Sequence, residues 1–322
     1  MVIILATKKK FKLKKKFKRL ILLSLILVFL GFTGKHLYNY IEYRSTQEYA
    51  FLDKGYTKEA YELLTSKLSD QNLEYLQKED KIDYIKDLVG QKYYIDSHLE
   101  EYLDYFNKNS KKSFEDVVAI VNVGAQNAWY SNATTTNTND RYSILVNKFK
   151  MLPSDFDSGT IKTFSLTYAY GEVKAEEETY KAFIEMANSA KQDGYTLILT
   201  SGYRTHEYQS SLYENMKSQR GEEYADKYAA RPGSSEHETG LSLDILTYGG
   251  LTDTFKDTET YKWLHTHAHE YGFIERYPEG KEYLTGYAAE SWHYRYLGKE
   301  LSKKVYDEGI TYDEYYAFYL AR

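Results

Sequence analysis

The segment SSEHETGLSLDI, residues 234–245, places a histidine and an aspartate seven positions apart, His237 and Asp244. His237 follows a turn, and Asp244 lies in the alternating run Leu-Ser-Leu-Asp-Ile, which predicts a short β-strand. A carboxylate in such a strand is costly to bury unless a partner compensates it. We therefore ask which group holds Asp244, and whether the same group also requires His237.

A second histidine, His293 in GYAAESWHYRYLG (286–298), supplies a third candidate group on another predicted strand. Together with His237 and Asp244 it forms a three-ligand set that suits zinc and leaves a fourth position for water, as catalytic zinc sites do. Glu290 precedes His293 by three residues, and a carboxylate so close to a ligand is a candidate general base for that water.

Spacing alone leaves other interpretations open. His237 is also compatible with a turn histidine, and Asp244 with a capping residue or the partner of an arginine. A further pair, His265 and His269 in HTHAH, has the i, i+4 spacing that can bind zinc on a helix. No third ligand or base is evident near that pair in the sequence, so we expect solvated or packed histidines there.

Composition restricts the chemistry further. The chain has 322 residues and no cysteine, which excludes disulfides, thiolate metal sites, a cysteine nucleophile and a lipid anchor on cysteine. Any metal must therefore be held by His, Asp or Glu. The 36 tyrosines are unusually many, and amphipathic rings suit grooves that bind polar polymers, although a tyrosine-rich core and surface is the simpler interpretation.

The N-terminus has the pattern of an export signal. Residues 8–19, KKKFKLKKKFKR, contain nine basic and no acidic residues, and residues 20–33, LILLSLILVFLGFT, are almost wholly apolar. We predict a basic cytoplasmic segment at 1–19 and a transmembrane signal anchor at 20–40, with the remaining chain outside the cell membrane. A cleaved signal peptide, and hence secretion, is the alternative.

The charge balance agrees with this division. The whole chain has 42 Lys and Arg against 47 Asp and Glu, so the part outside the basic block is clearly acidic. A basic block confined to a membrane flank does not imply nucleic-acid binding, and we predict no nucleic-acid partner. The oligomeric state is not defined by the sequence.

Two further regions follow the predicted anchor. Residues 41–112 have apolar positions at helical spacing, with Thr57 and Ser69 as plausible N-caps, and we predict a helical stalk or small bundle. Residues 113–322 mix helices and strands without regular βαβ repeats, so we predict an α+β domain with a small antiparallel sheet and flanking helices. The predicted helices are 177–194, 206–221 and 259–272, and the predicted strands are 195–204, 241–246, 291–298 and part of 141–153.

From about residue 140 to the end, the chain resembles the zinc D-Ala-D-Ala carboxypeptidases first known from vancomycin resistance. These belong to a wider group with lysostaphin-type endopeptidases and hedgehog domains. The resemblance rests on four ordered blocks: SGYRT (201–205) followed by Gln209, Ser-x-His-x-x-Gly-x-x-x-Asp (235–244), YGFIERYPEGKEYLTGY (271–287) and Glu-x-Trp-His (290–293). Four blocks in order are far more specific than any single motif.

The resemblance implies a role for each matched residue. His237, Asp244 and His293 are the expected Zn2+ ligands, and Glu290 is the expected catalytic base and acid. Arg204 is expected to stabilise the oxyanion, although a salt bridge is its simpler role. Three further residues are expected to contact substrate: Tyr203, Gln209 and Ser235.

The sequence departs from the family pattern at three positions. Glu238 replaces the usual glutamine or asparagine, Ser242 a common alanine, and Ser291 a frequent proline. None of the three is an expected ligand or the expected base. Glu238 adds negative charge near the expected metal, which can alter substrate preference.

The implied activity is removal of the terminal D-alanine from peptidoglycan stem peptides. A D,D-carboxypeptidase acting on pentapeptides is the main hypothesis, and an L,D-carboxypeptidase acting on tetrapeptides is the alternative. Two hypotheses from other classes are a non-catalytic cell-wall-binding module and a scaffold whose helical stalk binds a division or synthesis partner. The first of these predicts loss of Glu290 or of a ligand, and all of them are present.

Overall fold

The computed structural model describes residues 14–250 and 252–321, and the chain divides into two compact units, Met1–Gly90 and Gln91–Arg322. Most of the predicted basic segment, residues 1–13, lies outside the described residues. Residues 91–112 belong to the second unit, whereas the sequence suggested a boundary at 112/113. That boundary, drawn between stalk and catalytic domain, stays a prediction.

The first unit begins with the helix α1, Lys15–Arg44, which includes the predicted anchor at 20–40. Its mean hydropathy reaches 2.0, and no residue in it is buried. By length and composition α1 is able to cross a membrane, a property that an N-terminal signal sequence shares.

Four short helices complete the first unit: α2 Gln47–Asp53, α3 Lys58–Lys67, α4 Asp70–Lys78 and α5 Ile85–Val89. The predicted N-caps are present, because the Thr57 and Ser69 side chains accept hydrogen bonds from the first turns of α3 and α4. The helices bury apolar residues such as Leu64 and Leu76, as their spacing predicted.

The second unit mixes helices and strands, as predicted. Its helices are α6 Leu99–Lys108, α7 Phe114–Asn122, α8 Glu177–Gln192, α9 His206–Arg220, α10 Glu222–Tyr228, α11 Thr252–Phe255, α12 Glu259–His267, α13 Glu282–Thr285, α14 Lys299–Glu308 and α15 Tyr312–Tyr315. Its strands are β1 Thr134–Thr135, β2 Lys150–Met151, β3 Ile161–Thr163, β4 Lys174–Glu176, β5 Ile198–Ser201, β6 Ser242–Leu246, β7 Phe273–Tyr277 and β8 Glu290–Tyr296.

A four-stranded antiparallel sheet in the order β5-β6-β8-β7 organises the second unit. One face packs on α8 and α12, where Leu243, Ile245 and Tyr294 join a large apolar core. Because side chains alternate along a strand, Asp244 and His293 lie on the other face. The remaining pairs are short, β1 with β2 and β3 with β4. The predicted α+β class with a small antiparallel sheet is confirmed.

The predicted strand in residues 141–153 is mostly wrong. Only β2, Lys150–Met151, is a strand, although Ile144 and Val146 are buried as their apolar character suggested. The Asn147 side chain interrupts the run, because its Oδ1 accepts hydrogen bonds from the backbone N–H groups of Phe149 and Lys150. A local side-chain turn thus replaces the strand.

Two further differences concern the following segment. The predicted helix 259–272 is α-helical only to His267, after which a 3₁₀ turn runs from Ala268 to Tyr271. The turn ends at Gly272, whose φ of 95° favours glycine. Strand β7 follows directly and was not predicted as a strand, although its residues belong to one of the four family blocks.

Candidate metal centre

The three predicted ligands come together in the second unit. His237, Asp244 and His293 are buried, and one potential ligand atom from each lies within 4.8 Å of the others. Asp244 Oδ1 lies 3.5 Å from His237 Nε2 and 3.2 Å from His293 Nδ1. The carboxylate of Asp244 therefore lies between the imidazoles of His237 and His293.

Local structure explains this convergence. The register of β6 and β8 places Asp244 directly opposite His293. His237 lies in a 3₁₀ turn, Glu236–Thr239, that ends at Gly240 with a φ of 73°. A Cβ at Gly240 would come within 3.1 Å of Glu176, so glycine suits both the left-handed backbone and the close packing. The chain then enters β6, which carries Asp244 to within 3.5 Å of His237.

A backbone carbonyl fixes the orientation of His237. Its Nδ1 donates a hydrogen bond to the carbonyl oxygen of Gly202 at 2.8 Å, which leaves Nε2 directed toward Asp244. Burial lowers the pKa of His237 to about 4, so the ring is neutral near pH 7. A neutral imidazole with its other nitrogen held by a carbonyl is the usual state of a histidine that ligates a metal.

A buried carboxylate lies behind His293, and sequence reasoning did not single it out. Glu236 Oε2 is 3.5 Å from His293 Nε2, on the side of the ring away from Asp244. Glu236 Oε1 accepts hydrogen bonds from Arg276 Nε at 2.8 Å and from Arg295 Nη1 at 2.9 Å. The sequence feature that could have indicated Glu236 is the pair Arg276 and Arg295, each in a strand. A buried arginine requires a carboxylate partner, so two of them predict a buried acid nearby.

The charge states of Glu236 and His293 follow from these contacts. Burial opposes ionisation of Glu236, but Arg276 and Arg295 outweigh it and hold the pKa of Glu236 well below its usual range. Burial also opposes protonation of His293, yet Asp244 and Glu236 raise the pKa of His293 to about 9. A metal that binds here therefore displaces a proton.

The residues fit a zinc ion. Asp244 Oδ1 is buried and accepts no hydrogen bond from the described residues, although it faces both imidazoles. Two imidazoles and one carboxylate form the mixed donor set that zinc accepts at catalytic sites. His237, Asp244 and His293 would hold the ion, and their roles as ligands remain predictions.

Glu290 lies at the start of β8, next to the three candidate ligands. Its Oε2 is 3.6 Å from His293 Nδ1, and its side chain is 19% exposed, so it borders the open cleft. Burial raises the pKa of Glu290 to about 7. A carboxyl with a pKa near neutrality, at the edge of a cleft, has the properties of a general base and acid.

Arg204 lies on the other side of the cluster. Its Nη2 is 3.4 Å from Asp244 Oδ2, and Ser201 Oγ accepts a 2.9 Å hydrogen bond from the same nitrogen. Gln209 Oε1 accepts another from Nη1 at 3.2 Å, while Gln209 Nε2 donates to the carbonyl of Ala230. Gln209 is fully buried. We therefore revise its predicted substrate contact to an indirect role through Arg204.

The other two predicted substrate residues lie in different places. Ser235 lines a cleft of about 250 Å³ that contains the candidate ligands, Glu290 and Arg204. Tyr203 instead lines a neighbouring groove, which Arg204 also borders. Both predicted substrate contacts stay predictions.

Glu238 forms contacts away from the three candidate ligands. Its Oε2 lies 2.8 Å from His206 Nδ1, and its Oε1 accepts a hydrogen bond from the Gly233 N–H at 2.8 Å. It does not line the cleft that contains the candidate ligands. The Glu238 carboxylate therefore joins the His237 turn to His206 and to the backbone of Gly233, and does not face the candidate ligands.

The pair His265 and His269 agrees with the expectation of packed or solvated histidines. His265 Nδ1 lies 3.0 Å from Glu275 Oε2, and His269 stacks on Tyr306 with a centroid separation of 3.8 Å. Within the described ranges, the only group of three potential ligands this close together is His237, Asp244 and His293.

Comparison with known proteins relates this chain to carboxypeptidases. The family model described as VanY, D-alanyl-D-alanine carboxypeptidase, matches residues 172–299. YodJ of Bacillus subtilis (strain 168) is 36% identical over 179 residues, covering 53% of this chain and 66% of that protein. A D-alanyl-D-alanine carboxypeptidase of Enterococcus faecalis is 32% identical over 181 residues, covering 53% and 64% respectively. The chain thus spans just under two thirds of the length of these curated relatives.

A solved structure is similar over a larger share of its own length. The LdcB LD-carboxypeptidase superposes with a TM-score of 0.54 at 34% identity, covering 58% of this chain and 91% of that one. The fold, the cluster and these similarities together define the class as a carboxypeptidase-type α+β domain. The chain belongs to the VanY family of D-alanyl-D-alanine carboxypeptidases, and the predicted family is confirmed.

Proposed function

We propose that this protein is a zinc-dependent D,D-carboxypeptidase that removes the terminal D-alanine from peptidoglycan stem peptides. The observation that carries the proposal is the convergence of His237, Asp244 and His293 around one carboxylate oxygen, with Glu290 beside them at an open cleft. Membership of the VanY family supports the choice of substrate.

A zinc ion held by His237, Asp244 and His293 would act as a Lewis acid toward the scissile carbonyl and would lower the pKa of a bound water to about 7. Glu290 accepts the proton of the attacking water, because its carboxylate lies at the cleft and its pKa of about 7 permits both gain and loss of a proton. The same carboxyl then delivers the proton to the leaving amino group of D-alanine.

Arg204 stabilises the negative charge that develops on the carbonyl oxygen. Ser201 and Gln209 hold its guanidinium in place before substrate arrives, so little reorganisation is needed during the reaction. One preorganised donor of this kind is worth about 3–4 kcal/mol of transition-state stabilisation.

The size of the cleft supports attack at a chain end. Its volume is about 250 Å³, and its lining includes Leu212, Met216 and Tyr228 as well as the catalytic cluster. Such a cleft suits a short C-terminal segment with small side chains.

An L,D-carboxypeptidase is the second candidate. The observation that favours it is the 34% identity with the LdcB LD-carboxypeptidase over 91% of that chain. The same ligands and base serve both reactions, and the bond that is cut depends on how the stem peptide is held. A non-catalytic wall-binding module is less well supported, because all the expected catalytic residues are present.

We further propose that α1 anchors the protein in the cell membrane with the second unit outside the cell. The basic residues that flank α1 support this orientation. Secretion after signal cleavage is the alternative, and the mass of the mature protein distinguishes them.

Mass spectrometry of defined stem peptides tests the proposal. The full chain is incubated with pentapeptide and with tetrapeptide, with added zinc or with a chelator, beside a Glu290→Ala control. We expect loss of one alanine from the pentapeptide, abolished by chelator and by the substitution. Loss from the tetrapeptide alone would assign the L,D reaction, and no loss from either peptide with zinc bound would contradict both.

A further inference from the structure

Three exposed tyrosines from distant parts of the sequence gather beside the catalytic cleft. Tyr170, Tyr208 and Tyr248 are 49%, 60% and 61% exposed, the highest values among the tyrosines described in the second unit. Tyr170 and Tyr208 line a groove of about 420 Å³ together with Tyr203, and the ring of Tyr248 packs edge-on against Tyr170 at 6.0 Å. Large exposed rings that cluster in this way mark a binding surface.

The groove has a rigid floor. A Cβ on Gly202 would lie 2.2 Å from the carbonyl oxygen of Lys174, so the two backbones meet directly at this point. The Tyr203 N–H donates to the same carbonyl at 2.7 Å. Tyr170 Oη accepts a hydrogen bond from the Gly249 N–H, which joins the loops that carry two of the tyrosines.

The groove adjoins the cleft that contains the candidate ligands. Arg204 lines both, and the carbonyl of Gly202, in the floor of the groove, orients the candidate ligand His237. A substrate whose scissile bond lies at the metal centre can therefore extend past Arg204 onto the tyrosines. This inference rests on the proposed function, since it concerns another part of the same substrate.

The surroundings disfavour a peptide as the occupant of the groove. Tyr168 and Tyr170 already pair with Leu199 through backbone hydrogen bonds, so the free edge of β5 is not open to an added peptide strand. Two of the charges that line the groove, Glu172 and Lys174, pair with each other at 2.6 Å. The third lining charge, Arg204, lies 3.4 Å from Asp244, so each of the three has an oppositely charged neighbour. The rest of the groove consists mainly of phenol rings and hydroxyl groups, with Val173 beside them.

We propose that this tyrosine groove binds the glycan strand to which the stem peptide is attached. The faces of N-acetylhexosamine rings carry C–H groups that pack on aromatic faces, and tyrosine hydroxyls can exchange hydrogen bonds with sugar hydroxyls. The enzyme therefore prefers stem peptides that are still joined to glycan over free peptides.

Kinetics on matched substrates test the preference. The full chain is assayed on a free pentapeptide and on the same pentapeptide joined to its disaccharide, for Tyr170→Ala, Tyr208→Ala and Tyr248→Ala. We expect kcat/KM on the disaccharide substrate to fall roughly three- to tenfold per ring, with a change below about twofold on the free peptide. Tyr208→Phe keeps the ring and should retain the preference. Tyr306→Ala, an exposed tyrosine outside the groove, is the matched control.

Binding to glycan strands stripped of peptide gives a readout that does not depend on hydrolysis. Wild-type protein should cosediment with such strands, and the three alanine variants should lose this binding while the Tyr306→Ala control keeps it. Equal kinetic losses on both substrates, or unchanged kinetics together with unchanged binding, would overturn the glycan site. If wild type hydrolyses neither peptide yet binds stripped glycan through these tyrosines, the site stands and the proposed activity fails.

Discussion

Glu236 lies 3.5 Å from His293 Nε2, behind the candidate metal centre, and helps to raise the pKa of that imidazole. It is fully buried, and its ionised form is balanced by Arg276 and Arg295, which are also fully buried. A carboxylate next to the second nitrogen of a ligating imidazole raises the basicity of that ligand.

Substitution of Glu236 by glutamine should therefore weaken both metal binding and folding. We expect zinc affinity to fall about 10- to 100-fold. We also expect the free energy of unfolding to fall by about 3–5 kcal/mol, because Arg295 loses its buried carboxylate partner and Arg276 keeps only Asp313. Competition with a chromogenic chelator measures the first effect and urea denaturation the second. The exposed Glu270→Gln is the control, and an unchanged zinc affinity would contradict the role given to Glu236.

Gln209 provides a second test at the level of single residues. If it acts by positioning Arg204, Gln209→Ala should lower kcat on pentapeptide about tenfold with little change in KM. The double variant with Arg204→Ala should then be no worse than Arg204→Ala alone, because neighbours that act as a unit are not additive. Fully additive losses in this double-mutant cycle would instead indicate that Gln209 acts independently of Arg204.

Among the elements, the end of β5 borders the candidate metal cleft and the tyrosine groove. Gly202 permits the close contact with Lys174, and its carbonyl holds His237. A larger residue must push these segments apart, which should disturb folding and metal binding together.

Gly202→Ala should accordingly lower the free energy of unfolding by about 3 kcal/mol or more, the range of severe overpacking. Gly194→Ala is the matched control, because its added carbon meets no heavy atom within 4 Å and only its φ of 89° is unfavourable. That backbone cost is about 1–2 kcal/mol. Thermal or urea unfolding compares the two, and an equal loss in both variants would show that the contact with Lys174 is not tight.

Much of this element level could be predicted from the sequence. Strong amphipathic spacing predicted α8, and the predicted helix 206–221 corresponds to α9; both predictions lie within about two residues of the observed ends. The predicted strands 241–246 and 291–298 correspond to β6 and β8. The short strand predicted near Asn147 failed because that side chain bonds to its own turn and to Asp313, which lies 166 residues away. Sequence windows contain no information about such a distant partner.

The candidate site likewise contains residues that the sequence predicted and residues that it did not. The ligands, base and arginine could be identified because family motifs hold them at fixed spacing, and the structure brings them together. Glu236 was missed because the arginines that make its burial affordable lie 40 and 59 residues further along the chain. Gln209 was assigned to substrate by the family resemblance, which does not reveal that both ends of its amide are occupied.

At the scale of the second unit, Glu308 contacts residues near both ends of that unit. It contacts Lys92 at 2.5 Å, accepts a hydrogen bond from the hydroxyl of Tyr93, and accepts another from Tyr319 at 3.0 Å. Lys92 and then Tyr93 lower the pKa of Glu308 from 4.5 to about 2. A lowered carboxyl pKa contributes stability above the unfolded value, and that contribution is lost as the pH falls through the folded value.

Comparison of wild type with Glu308→Gln should therefore depend on pH. The variant should be less stable above about pH 5, and the difference should shrink toward zero as the pH falls to about 2. The effect should be modest, because Lys92 is largely exposed to solvent. Urea unfolding at a series of pH values measures it, and a difference that does not change with pH would contradict the assigned charge.

We expect one zinc ion to lie among His237, Asp244 and His293. Anomalous diffraction from crystals of the zinc-loaded full chain, recorded on both sides of the zinc absorption edge, tests it most directly. We predict one strong anomalous peak bonded to all three side chains, present only above the edge and absent in a His293→Ala variant. A peak elsewhere, or none at this cluster in protein that hydrolyses pentapeptide, would contradict the account.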